Sequence, residues 1–233
     1  MTTSKILIIA TSANQLTSGD QTGIWLEELT TPYYAFVEGG ADVTLASIAG
    51  GAIPVDTRSL AAPGDNEASV ERYLEDAALQ ALVQNTPKFT DLDLQQFDAV
   101  FLPGGHGTMF DYPNSKELAR LIETFDRSGK VVSAVCHGPA GLVSATKADG
   151  TPFVAGKRVA GFTESEEHAV GLEKEVPFLL ETKLRELGAE VETAPDFQAF
   201  ALRDGNLITG QNPASATDTA ALVLDAVSSK AAA

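Results

Sequence analysis

The chain carries a single cysteine, Cys136, which stands beside His137 at the end of the apolar run Val131–Val135 and just before Gly138-Pro139. Small and β-branched residues in that run predict a buried strand. A proline in the first turn of a helix loses no hydrogen bond. The stretch therefore predicts strand, sharp turn, helix, with the sulfur lifted from the strand end into a cleft. Unpaired N–H groups at a helix start favour an anion. This placement is therefore expected to lower the thiol pKa from its free value of about 8.5 and to make the sulfur a nucleophile. A lone cysteine is more often a small buried hydrophobe; the adjoining imidazole and the tight Gly-Pro turn favour chemistry over packing.

A thiolate needs a place for developing oxyanion charge, and Pro103-Gly104-Gly105-His106-Gly107-Thr108 offers one, because glycine backbone can approach closely and present N–H groups. Its spacing fits neither the dinucleotide nor the P-loop fingerprint, and by itself such a run is as readily a plain tight turn. A carboxylate beside the thiol would complete an acid–base pair. Glu27 and Glu28 follow the first strand's loop, but successive helical residues point about 100° apart, so at most one can face a cleft. Spacing alone favours solvated first-turn acids that benefit from the helix dipole.

The elements around these residues are arranged as strand and helix in alternation. Lys5–Thr11 predicts a central parallel strand. A helix starts at Gly23–Leu29, with Pro32 expected to bend or restart it and Gly39-Gly40 to end it. Asp42–Ser47 predicts the next strand and so a right-handed β–α–β unit. Residues Ile48–Ala68, rich in Gly, Pro and Asp, predict a long surface loop of the kind that is functional or disordered. Glu71–Gln84 predicts one helix, Ala99–Leu102 a strand, and Asn114 the start of a helix with Glu117 at capping-box spacing. Thr151–Gly161 predicts a small hairpin, Pro177–Leu187 a helix stopped by Gly188, and Glu190–Thr193 a strand. Ala201–Thr209 predicts a hairpin turning at Asp204-Gly205, and Pro213–Val227 the closing helix. Such alternation argues for one doubly wound α/β domain spanning residues 1–233. In such sheets ligands sit at the carboxyl ends of the strands, where the loops after Thr11, Leu102 and Val135 should meet.

The totals narrow the functional classes. At 233 residues, with 44% hydrophobic residues and a formal net charge of −16, the chain can bury a sizeable core and lacks the basic patches that nucleic acid and anionic membranes select. One cysteine excludes an internal disulfide and a multi-cysteine zinc site, and three histidines leave room for a mixed His/carboxylate metal site that no spacing supports. The apolar run Ile6–Ala10 is too short for a signal peptide, and no stretch is long enough to span a bilayer. A cytoplasmic location is expected.

Several segments together resemble a known family: Thr22-Gly23 with Glu28, Ala46-Ser47, Gly105–Thr108 with Phe110–Pro113, Ala134–Pro139, Gly161–Thr163 with Glu167, and Thr209–Ser215. They resemble the ThiJ/PfpI superfamily, in its branch of small heat-shock chaperones and glutathione-independent glyoxalases (glyoxalase III), over roughly Lys5–Val227. The resemblance implies a flavodoxin-like sandwich, related to the class I glutamine amidotransferases, with a mainly parallel sheet and helices on both faces. It also implies a homodimer. It makes Cys136 the nucleophile and Glu28 its carboxylate partner, with His137 and Glu167 completing a Cys-His-acid triad. Glu164 and Glu166 lie close enough that a one-residue shift would reassign the acid. Gly104, Gly105 and His106 would form the oxyanion and substrate-binding loop, with the Gly105 and His137 N–H groups as donors. The His106 side chain is expected to make a structural loop hydrogen bond and His168 to lie on a helix surface. The implied reaction needs no cofactor and no metal and converts methylglyoxal, a small dicarbonyl, to lactate. Rival functions are a cysteine peptidase or amidase on the same elbow, and a stress holdase or thiol oxidation sensor.

Overall fold

A computed structural model describes residues 3–231. Its core is a six-stranded sheet in the order β2-β1-β3-β4-β8-β7. Its strands are β1 (Lys5–Ala10), β2 (Asp42–Ser47), β3 (Ala99–Leu102), β4 (Val131–Val135), β7 (Ala201–Asp204) and β8 (Leu207–Gly210). All neighbours run parallel except β7, which pairs antiparallel with β8. The uninterrupted apolar runs suit strands covered on both faces: every residue of β3, β4 and β8 is buried. The chain leaves β1 to one side for β2 and to the other for β3, so the strand order reverses between β1 and β3. This is the switch point at which doubly wound sheets bind ligands.

Helices flank the sheet. Helix α1 (Leu26–Glu38) packs on β1, β2 and the closing helix α8 (Ala216–Ala231), which also covers β4 and β8. Pro32 sits inside α1 without dividing it. A mid-helix proline costs about 3 kcal/mol, and burial of Leu29, Pro32, Tyr34 and Phe36 offsets it.

Several predicted boundaries are corrected. The helix expected over Glu71–Gln84 is two, α2 (Ala68–Glu75) and α3 (Ala77–Gln84), because Asp76 leaves helical geometry and its carboxylate caps the Ala78 and Leu79 N–H groups. After the short α4 (Thr108–Asp111), helix α5 (Lys116–Arg127) is capped by Ser115, not Asn114; the Leu118 N–H donates to Ser115 Oγ at 3.1 Å. Thr151–Gly161 is not a hairpin. Its Arg158–Val159 (β5) pairs in parallel with Glu190–Val191 (β6), a separate two-stranded ladder. Helices α6 (Glu164–Val170) and α7 (Leu180–Glu186) lie between these strands. Among the described residues no helix is long and apolar enough to cross a membrane.

Candidate active site

The end of β4 forms the elbow. Cys136 donates its N–H to Gly210 O on β8 at 3.0 Å and holds φ at 59°, left-handed backbone that a residue other than glycine seldom adopts. Such backbone costs on the order of 1–3 kcal/mol and persists where its surroundings dictate it. The elbow leads into a helix, as expected, but a short one of 3-10 geometry, Gly138–Leu142, with Pro139 in its first positions. So short a turn sums little dipole. Cys136 is only 3% exposed, and the expected pKa is corrected in sign. Burial, and then the facing Glu28 carboxyl, push the thiol well above its ordinary value; a hydrogen bond from the Gly105 backbone works in the opposite direction.

Proton acceptors surround the sulfur. Cys136 Sγ lies 3.3 Å from His137 Nδ1, and His137 Nε2 lies 2.7 Å from Glu167 Oε2. Glu167 is delivered by the first turn of α6, which a Thr163–Glu166 capping box fixes in place. Of the three acids there, Glu167 meets His137. Glu166 instead accepts from the Thr163 and Phe197 N–H groups and from Gln211 and Asn212, and Glu164 accepts from Thr182 at 2.8 Å.

His106 is more than a loop-local bond, and that expectation is corrected. Its Nε2 lies 2.7 Å from Glu167 Oε1, across 61 residues of chain, and its ring centroid is 4.2 Å from that of His137. One carboxylate therefore serves two imidazoles. His106 Nδ1 is buried with no partner among the described residues. A bare lone pair there costs less than an unpaired N–H would, which places the proton on Nε2, donating to Glu167. Burial, reinforced by the neighbouring His137 imidazole, pushes His106 down to about 4. Glu167 goes below the usual carboxylate range because the two imidazoles outweigh its burial. His168 is exposed, as expected, 3.8 Å from Glu164. Glu167, His106 and His137 also form a cluster whose metal-ligand atoms lie within 4.8 Å of one another.

This pairing has a consequence for acid stability. A histidine neutral down to about 4 in the fold, against 6.5 free, contributes stability that is present above pH 6.5 and is lost as pH falls through 4. His106→Gln, whose amide can still donate to Glu167, should therefore narrow the stability difference between pH 7 and pH 5 by about 2 kcal/mol. Urea unfolding at the two pH values checks this, and an unchanged difference would contradict the neutral assignment.

Glu28 corrects the expectation of a solvated acid. It is fully buried, and its Oε2 accepts the Gly104 N–H at 2.8 Å. Its Oε1 meets no N–H or O–H donor among the described residues, and the carboxyl faces the Cys136 thiol. Burial pushes it well above the usual carboxylate range, against the lowering contacts of Cys136 and Gly104. Its neighbour Glu27 is half-buried and pushed up to about 7 by burial and by Glu67. Gly104 thus holds the base rather than an oxyanion, and the backbone donor facing the sulfur belongs to Gly105. Gly105 needs its φ of 98°, and a Cβ there would come within 2.4 Å of Trp25 N.

Cys136, His137, His106 and Gly105 open onto one cavity of about 230 Å³. Trp25, Phe162, Val170, Leu172, Phe197 and Pro213 give it apolar walls, and Arg58 reaches it from the long loop. Phe162 lies against the His137 ring, with centroids 4.4 Å apart and planes at 33°. Sequence reasoning missed Arg58 and Phe197. Asp56-Thr57-Arg58-Ser59 does carry a turn signature, but nothing local reveals that the turn packs on the site.

The profile of the DJ-1/PfpI family matches residues 21–226. Glyoxalase 3 of Candida albicans is 32% identical, with 95% of this chain and 98% of that protein covered. The glutathione-independent glyoxalase HSP31 of Saccharomyces cerevisiae is 32% identical over 97% of this chain and 99% of its own. The crystal structure of glyoxalase III from Candida albicans superposes with a TM-score of 0.87 at 33% identity, covering 96% of this chain and 97% of that one.

Proposed function

This chain belongs to the DJ-1/PfpI family, and from that footing we propose that it is a glutathione-independent glyoxalase converting methylglyoxal to lactate. The observation that carries the proposal is the buried Glu28, with one oxygen tied to Gly104 and the carboxyl facing a thiol that opens onto a small cavity. Hydrolysis can proceed with His137 as the proton carrier, whereas an intramolecular redox isomerisation requires a second carrier beside the sulfur.

Cys136 Sγ bonds to the aldehyde carbon as His137 Nδ1 takes the thiol proton. Glu167, held charged, stabilises the imidazolium that forms. The Gly105 N–H is the backbone donor on the sulfur's side for the oxygen that gains charge. Glu28 then removes the hydrogen from the former aldehyde carbon as the ketone oxygen takes the proton held on His137, giving an enediolate; as its oxyanion closes to a carbonyl, Glu28 returns the hydrogen to the neighbouring carbon. Burial has raised its pKa toward the range in which a carboxyl can both take and give a proton. The product is an S-lactoyl thioester. Water cleaves its C–S bond, lactate leaves, and the sulfur regains a proton.

Methylglyoxal supplied without glutathione should give D-lactate in proportion to enzyme, read out with stereospecific lactate dehydrogenases. Absence of lactate together with cleavage of peptide or amide substrates would transfer the site to the hydrolase class.

A further inference from the structure

The loop between β2 and α2 has no part in the chemistry at Cys136, yet it is built around a fully buried carboxylate, Asp56. Val55 pairs with Ile24, and the Asp56 N–H donates to Ile24 O at 2.9 Å, which fastens the loop beside the entrance to α1. Asp56 Oδ2 accepts from Thr22 Oγ1 at 2.8 Å, and Oδ1 accepts the Arg58 N–H at 2.9 Å. The same carboxylate clamps the Arg58 guanidinium through Nε and Nη2. Nη1 is left with no partner among the described residues. The Arg58 side chain is 39% exposed, lines the cavity with Cys136, and lies near enough to Glu167 and Asp20 to be held more firmly charged by both.

A guanidinium locked by a buried partner, with one nitrogen free at the edge of an apolar cavity, is preorganised for an anion. The cavity of about 230 Å³ also leaves room beyond a three-carbon dicarbonyl, since one water fills about 30 Å³ of liquid. We propose that Arg58 is a specificity residue that admits 2-oxoaldehydes bearing an anionic group, carboxylate or phosphate, on the chain beyond the ketone. This rests on the glyoxalase reading. The anionic group takes no part in bond making, so the thiol addition, proton transfer and hydrolysis proceed unchanged, and the product is the corresponding 2-hydroxy acid.

The test compares kcat/KM for 4,5-dioxopentanoate and hydroxypyruvaldehyde phosphate with that for neutral 2-oxopentanal. In the native protein the anionic substrates should be favoured by about 10-fold or more. In Arg58→Met the anionic-to-neutral ratio should fall about 10- to 100-fold, chiefly through KM, as expected for losing a charge-assisted hydrogen bond. Arg58→Lys should recover part of it, and the stronger of the two anionic arms identifies the anion. A native ratio at or below one, with 2-oxopentanal turned over, overturns the anion subsite alone and needs no variant. A ratio that Arg58→Met leaves unchanged does the same. Failure to turn over any oxoaldehyde overturns the glyoxalase reading and the subsite with it.

Discussion

Replacing Cys136 with serine should lower lactate formation from methylglyoxal at least about 1,000-fold, because the hydroxyl is a far weaker nucleophile at neutral pH and a poorer leaving group from the acyl intermediate. The fold should survive: oxygen replaces sulfur at a residue whose N–H bond to Gly210 and backbone shape do not involve the side chain. Burial and Glu28 raise the thiol pKa, so the sulfur is not a standing thiolate waiting for substrate. It ionises as it attacks, with His137 Nδ1 at 3.3 Å as the acceptor. Iodoacetamide should consequently alkylate the unliganded enzyme slowly near neutral pH and faster as pH rises. Lactate production by Cys136→Ser within tenfold of the native rate would remove the sulfur from the mechanism.

The parts of the molecule legible in the sequence are those whose determinants are local. Lys5–Ala10, Ala99–Leu102 and Val131–Val135 are continuous apolar runs, and only a sheet covered on both faces accommodates several of them. Asp204-Gly205 turns its hairpin through the dipeptide itself. The elbow at Cys136 announces itself through Gly138-Pro139. The illegible parts depend on partners distant in the chain. The second imidazole on Glu167 comes from 61 residues upstream. Glu28 is buried because Gly104, 76 residues on, offers it an N–H. Pro32 fails to break α1 because the residues on either side of it are buried. The thiol's pKa departs from the local expectation for the same reason. The local pattern suggests a helix start, whereas burial and a carboxylate from another element set the outcome.

Glu28→Gln should separate function from stability. Glutamine can still accept the Gly104 N–H but cannot carry a proton between substrate carbons, so lactate formation should fall about 100- to 10,000-fold, the range of general acid–base catalysis. Thermal stability at pH 7 should move the other way. A carboxyl whose folded pKa is raised contributes stability below its unfolded value of 4.5, and that contribution is lost as pH rises through the folded value. At pH 7 the native protein therefore bears the cost of keeping the Glu28 carboxyl buried. Leaving such a group buried costs roughly 1–3 kcal/mol. Its replacement by a neutral amide should raise Tm by a few degrees, at about 2–4 °C per kcal/mol for a chain of this size. The gain should shrink as the buffer is taken to pH 4, where the native carboxyl is protonated and equally neutral. The acid limb of the native kcat/KM profile should lie above the ordinary carboxylate range, because Glu28 must lose its proton before it can take one from substrate. A variant that is inactive and less stable at pH 7 would mean that Glu28 holds the elbow together rather than moving protons.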